Sequence, residues 1–126
     1  MKITGFDPVI VTPDVDSVIR VFEGLGFART HSPVLEVKTG EVHSYRMENA
    51  DGYHVDVVSP ARDITRDEMV IRMNVDDFET AYATLEAHGF RNVHKGNATF
   101  DTKTATSATL ESPSGFRIAV VKHIKG

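Results

Sequence analysis

The sequence predicts an α+β fold built from two tandem βαβββ modules, with curved mixed sheets around a central concave cavity and helices outside. Two observations lead there: the chain repeats itself at half its length, and within each half one helix-period segment follows a short strand and precedes two or three more. Sliding the sequence by 63 residues aligns Asp14, Glu23, Gly26 and Phe27 with Asp77, Glu86, Gly89 and Phe90. With no gap, His31, Thr39, Ser44 and Glu48 then meet His94, Thr102, Ser107 and Glu111, and Gly52, Val57 and Val58 meet Gly115, Val120 and Val121. These are eleven identities in 63 positions, where ordinary residue frequencies give roughly four. The turn-forming residues also recur at equivalent places, so both halves share an order of elements.

In the first half, alternation over Asp7 to Thr12 predicts a strand ending at Thr12-Pro13-Asp14. Pro13 suits a first helical position, where its missing donor costs nothing. Val15, Val18, Ile19, Phe22 and Leu25 follow at amphipathic spacing, and Gly26 fits a left-handed cap. Strands are expected near Phe27 to His31, Val42 to Glu48 and Tyr53 to Val58, the last two joined by the Asn49-Ala50-Asp51-Gly52 turn. The second half gives a strand at Met69 to Val75, then a helix with Phe78, Ala81, Tyr82 and Leu85 on one face and Gly89 as its cap. Strands near Phe90 to His94, Ala105 to Glu111 and Phe116 to Lys122 complete it, the last two joined across Ser112-Pro113-Ser114-Gly115. The chain thus reads as a single domain over residues 1–126, with module one at 1–60, a Pro60-bearing linker at 59–67 and module two at 68–126. One helix covers one face of such a sheet, so the opposite face must meet something else.

Composition narrows the function. A 40% hydrophobic, 25% charged chain is that of a folded soluble protein, not a disordered one. Lys plus Arg total 14 against 18 Asp plus Glu, a net charge of 14 − 18 = −4 with no basic run, so nucleic acid is not expected as a partner. Without cysteine there is no disulfide, thiolate metal site or Cys nucleophile. No 18-residue apolar run and no signal-like N-terminus occur, so no membrane partner is expected and a cytoplasmic location is the default. Nucleophile-elbow, phosphate-loop, dinucleotide-binding, zinc-protease and calcium-loop strings are also missing.

The stretches VIVTPDVDSVIRVFEGLGF (Val9 to Phe27) and DGYHVDVV (Asp51 to Val58), echoed by VDDFETAYATLEAHGF (Val75 to Phe90) and SPSGFRIAVV (Ser112 to Val121), resemble the vicinal oxygen chelate superfamily. That group includes glyoxalases, extradiol dioxygenases and bleomycin-resistance proteins. The resemblance implies four metal ligands on the concave side, one from the first and one from the last strand of each module. Residue by residue they fall on Asp7, Val70, Asp56 and Ala119. Two carboxylates remain, and Val and Ala have nothing to donate, whereas divalent metals of this kind need three protein ligands or more. No cofactor is therefore expected. A divalent metal held by Asp7, His54 and Asp56 is the weaker alternative, and would make the chain a lyase, isomerase or dioxygenase.

Residues two apart on a strand share a face. His54 therefore joins Asp56, Arg72 and Asn74 join Val70, and Arg117 joins Ala119. The expected ligand-binding set is Asp7, His54, Asp56, Arg72, Asn74 and Arg117. Either the arginines hold an anionic or polar small molecule, or they pair internally with Asp7 and Asp56 and replace a lost cation. Tyr45, Phe100 and Phe116 either line the cavity or belong to the core, and His31 and His94 look like exposed loop residues. A small-molecule binder similar to the bleomycin-resistance branch is the leading reading, and the resemblance suggests a homodimer.

Overall fold

The computed structural model describes residues 1–31, 34–37, 40–60 and 63–124. Among them, ten strands and two α-helices run in the order β1 (Ile3–Val11), α1 (Val15–Gly24), β2 (Ala28–His31), β3 (Val34–Val37), β4 (Gly40–Glu48), β5 (His54–Val58), β6 (Glu68–Val75), α2 (Phe78–Ala87), β7 (Arg91–Asn92), β8 (Phe100–Asp101), β9 (Ala105–Glu111) and β10 (Arg117–His123). The fold is α+β with mixed strand pairing, as the sequence predicts. No described helix is long and apolar enough to cross a membrane.

Contacts divide the chain into a unit of Asp7–Met69 and a unit of Met1–Phe6 with Val70–Gly126. In the first, strands lie in the order β2, β4, β5, β1, and β3 also pairs with β4. β1 runs parallel to β5 with Val9 opposite Asp56, while β4 is antiparallel to β5 with Met47 opposite Val55. In the second the order is β6, β10, β9, β7, with β8 also on β9. β6 and β10 are parallel, β10 and β9 antiparallel, and Ile118 lies opposite both Ile71 and Leu110. The opening residues of β1 belong here too: the Asp76 amide donates to the Lys2 carbonyl at 3.1 Å. Met1–Phe6 thus packs with the later half of the chain. Ala61 and Arg62 of the expected linker lie outside the described residues.

Each unit buries one face of its strands against its own helix. Met47, Val55 and Val57 pack with Ile19 of α1, and Val15, Val18 and Phe22 border them. In the second unit Ala108, Leu110, Ile118 and Val120 pack with Ala81 of α2. The 63-residue repeat holds at this level: Met47 and Leu110 are equivalent and both fully buried, as are Val57 and Val120.

The helix starts also match. Asp14 accepts hydrogen bonds from the Ser17 amide (3.2 Å) and hydroxyl (2.7 Å), and Asp77 from the Thr80 amide (3.0 Å) and hydroxyl (2.6 Å). Asp14 therefore caps α1, and Pro13 stands before the cap rather than at the first helical position. Hydrogen bonds from the Ser17 and Thr80 hydroxyls and amides hold both carboxyl pKa values below the ordinary aspartate range. A depressed native pKa stabilises the fold above the unfolded value of about 4 and ceases to do so as pH falls through the native one. Thermal melts from pH 5 to pH 2 should therefore show Asp14→Asn and Asp77→Asn losing less stability on acidification than the parent.

Some elements depart from the sequence reading. β7 keeps two residues of the expected Phe90 to His94 strand because Asn92 turns the chain: its Oδ1 accepts from the His94 amide at 2.9 Å and its Nδ2 donates to the Ala98 carbonyl at 3.0 Å. A short 3-10 turn at Lys95–Asn97 follows, with Gly96 at φ 71°. β3 and β8 were not expected, and β1 begins at Ile3 rather than Asp7.

Candidate functional site

The strand face turned away from each helix carries the charged residues. In the first unit the parallel register brings His54 beside Asp7, with Nε2 and Oδ2 3.8 Å apart. Asp7 and Asp56 are only 3% and 2% exposed. The antiparallel register of β4 then adds two groups that the sequence reading did not include. Arg46 lies opposite Asp56 and Glu48 opposite His54. Arg46 Nε donates to Asp56 Oδ1 at 3.2 Å, and this bond, together with the Asp56, Asp7 and Glu48 charges, outweighs partial burial and raises the guanidinium pKa. The alternation Ser44, Arg46, Glu48 against Tyr45 and Met47 is the signal for them, but it does not say which strand they lie opposite.

In the second unit, Arg117 lies opposite Val70 and Glu111, and Ala119 opposite Arg72 and Thr109. Val121 stands opposite Asn74 and Ser107, so Arg72, Asn74 and Arg117 share one face with a row of small side chains. Arg117 Nε donates to Glu111 Oε1 at 3.1 Å. Glu111 and Thr109 were also missed, for the same reason as Arg46. Asn74 Oδ1 is buried without a hydrogen-bond partner. Its amide lies against Gly5, where an added Cβ would come within 2.7 Å of Nδ2, so a glycine here lets β1 pass.

The aromatic candidates sit elsewhere. Tyr45 borders the first helix-packed core, with Arg29 stacked 5.0 Å over its ring. Phe116 is 51% exposed and meets Phe90 edge-on. Phe100 meets His94 edge-on at 4.7 Å, so His94 is half-buried rather than an exposed loop residue. The side chain of His31 lies outside the described residues. A cavity of about 310 Å³ at the start of α1, lined by Thr12, His43, Tyr45 and Ser59 among others, had no signal in the sequence.

The divalent metal implied by the resemblance does not fit the donor set. Among the described residues no three His, Asp or Glu side chains cluster to hold a metal ion. Val70 and Ala119 occupy two of the four implied positions, and Asp56 at a third is bonded to a guanidinium.

Comparison with known proteins agrees with this architecture. Glyoxalase I from Zea mays superposes over 98% of this chain and 44% of its own, with a TM-score of 0.65 and 18% identity. 4-Hydroxymandelate synthase from Streptomyces coelicolor superposes over 95% and 48%, at 0.59 and 11%. A glyoxalase/bleomycin resistance protein/dioxygenase superfamily member from Vibrio splendidus 12B01 superposes over 96% and 99%, at 0.60 and 15%. The chain thus spans under half the length of the maize and Streptomyces enzymes, and at these identities the likeness is one of fold. No curated protein sequence matches it. The profile of one family does match, over residues 5–120, and with the duplicated modules it establishes that the chain belongs to the Glyoxalase/Bleomycin resistance protein/Dioxygenase superfamily.

Proposed function

We propose that this chain binds a small anionic or polar molecule on the β6–β10 face of its second unit, without the metal used elsewhere in the superfamily. The observation that carries the reading is Asn74. A buried amide oxygen with no partner costs about 1–3 kcal/mol unless a donor reaches it. Here it lies on the same strand face as two guanidiniums, and two residues from one of them. A molecule bearing a carboxylate or phosphate for the arginines and a hydroxyl or amino donor for Asn74 would satisfy both. Thr109, Ser107 and Ala119 leave room beside these groups because they are small.

The test is a melting-temperature screen with small hydroxy acids, amino acids and phosphate esters. A ligand of the native state must raise its stability, by about 2.7 kcal/mol at a hundred times Kd. Arg72→Ala and Arg117→Ala should each weaken a hit roughly 10- to 100-fold, the worth of one charge-assisted hydrogen bond. No shift with any compound overturns the proposal, and unchanged affinity in both variants removes the arginines from the site.

A further inference from the structure

We propose that the cavity at the start of α1 is a second binding site, for a flat organic cation such as an aryl amidinium or arylammonium ion. It lies wholly within the first unit, on the side of the strands that α1 covers, and does not depend on the ligand reading above.

Three segments wall it. β4 contributes His43 and Tyr45, which share a face because they are two apart, and Tyr45 borders the core under α1. The turn from β1 into α1 contributes residues 12–16, and Ser59 and Pro60 follow β5. Backbone groups tie these segments together. The Thr12 amide donates to the Val58 carbonyl at 3.0 Å and the Ser59 amide to the His43 carbonyl at 2.9 Å, while Ser59 Oγ accepts from the His43 amide at 2.8 Å. The space of about 310 Å³ is therefore framed by the fold rather than by loose side chains, and it is of the size that holds a one-ring molecule.

The wall chemistry selects the ligand. The rings of His43 and Tyr45 lie within 9° of parallel, with centroids 6.3 Å apart, so a flat molecule can lie along both. The Tyr45 ring already takes one planar cation: Arg29, which does not line the cavity, stands 5.0 Å over it. No Lys or Arg is among the lining residues, whereas Asp14 and Asp16 both are, and both are exposed at the rim. Asp14 keeps acceptor capacity beyond the two bonds from Ser17, and Asp16 makes no side-chain bond to another described residue. Pro13, Val15 and Pro60 add apolar surface. A flat cation satisfies rings and carboxylates together, while an anion meets two like charges.

The repeat gives an independent observation. The positions equivalent to His43 and Tyr45 carry Thr106 and Ala108, and Phe78 stands for Val15. In the second unit the helix supplies the bulk, with Phe78 packed on the cluster that contains Ala108. Packing a strand beneath a helix start thus does not require two rings on the strand; the first unit has them where its cavity opens.

The experiment titrates the 15N-labelled chain at pH 8 with benzamidine, benzamide and benzoate, which share a shape and differ in charge, and follows amide shifts by NMR. Benzamidine should move the amides of residues 12–16, 43–45 and 59, and bind about fivefold or more tighter than either isostere. Asp16→Asn, at an exposed position, and His43→Thr, which borrows the residue of the repeat, should each weaken it by roughly two- to fivefold. Tyr45→Phe, which keeps the ring, should bind like the parent. Benzamide or benzoate binding as tightly as benzamidine overturns the proposal. So do shifts centred on other residues, no binding of benzamidine, or an Asp16→Asn variant that binds it as the parent does.

Discussion

Leu110→Ala is expected to lower the unfolding free energy by about 2–5 kcal/mol, as burial without room to collapse generally does. Leu110 is fully buried opposite Ile118, in the cluster it forms with Ala81, Ala108 and Val120. Met47→Ala at the equivalent, fully buried position of the other core should cost an amount within the same range. Urea denaturation of the two variants checks both values, and a loss below about 1 kcal/mol in either would mean that its core closes over the gap.

The two glycines that end the helices allow a sharper comparison, because the repeat makes each the other's control. Gly26 and Gly89 hold φ at +97° and +86°, where an L side chain costs about 1–2 kcal/mol. A Cβ on Gly26 would meet nothing within 4 Å, whereas one on Gly89 would sit 2.9 Å from Pro113 Cγ. Proline's ring has little freedom to retreat. Gly26→Ala should therefore cost only the backbone penalty, and Gly89→Ala that penalty plus an overlap of about 1–3 kcal/mol. Thermal melts of the pair decide it: equal destabilisation would show that Pro113 yields. Gly89→Ala combined with Pro113→Ala should fall back to the Gly26→Ala level.

The fold was legible because its signals are local. Helix spacing and the glycine ends each need fewer than a dozen residues to be seen, and the 63-residue echo made each half a check on the other. The strands that were missed, Val34–Val37 and Phe100–Asp101, are short and pair only with a neighbouring strand, so they show no alternation long enough to read. The candidate site was half legible. Asp7, Asp56, Arg72, Asn74 and Arg117 follow from the family positions and the two-residue period. Arg46 and Glu111 do not, because a residue's place opposite another depends on the register between strands, which turn geometry sets and composition does not. Arg46, bonded to Asp56 from the adjacent strand, was not foreseen.

The hydrogen bond from the Lys2 amide to Asp76 Oδ1, 2.6 Å long, joins residues 74 apart in sequence, whereas residues 7–69 form their unit from contiguous chain. Closing so long a loop costs entropy before any contact repays it, and slows folding accordingly. Residues 7–69, then, can consolidate on their own during synthesis, while residues 1–6 find their partners only once Asp76 has emerged.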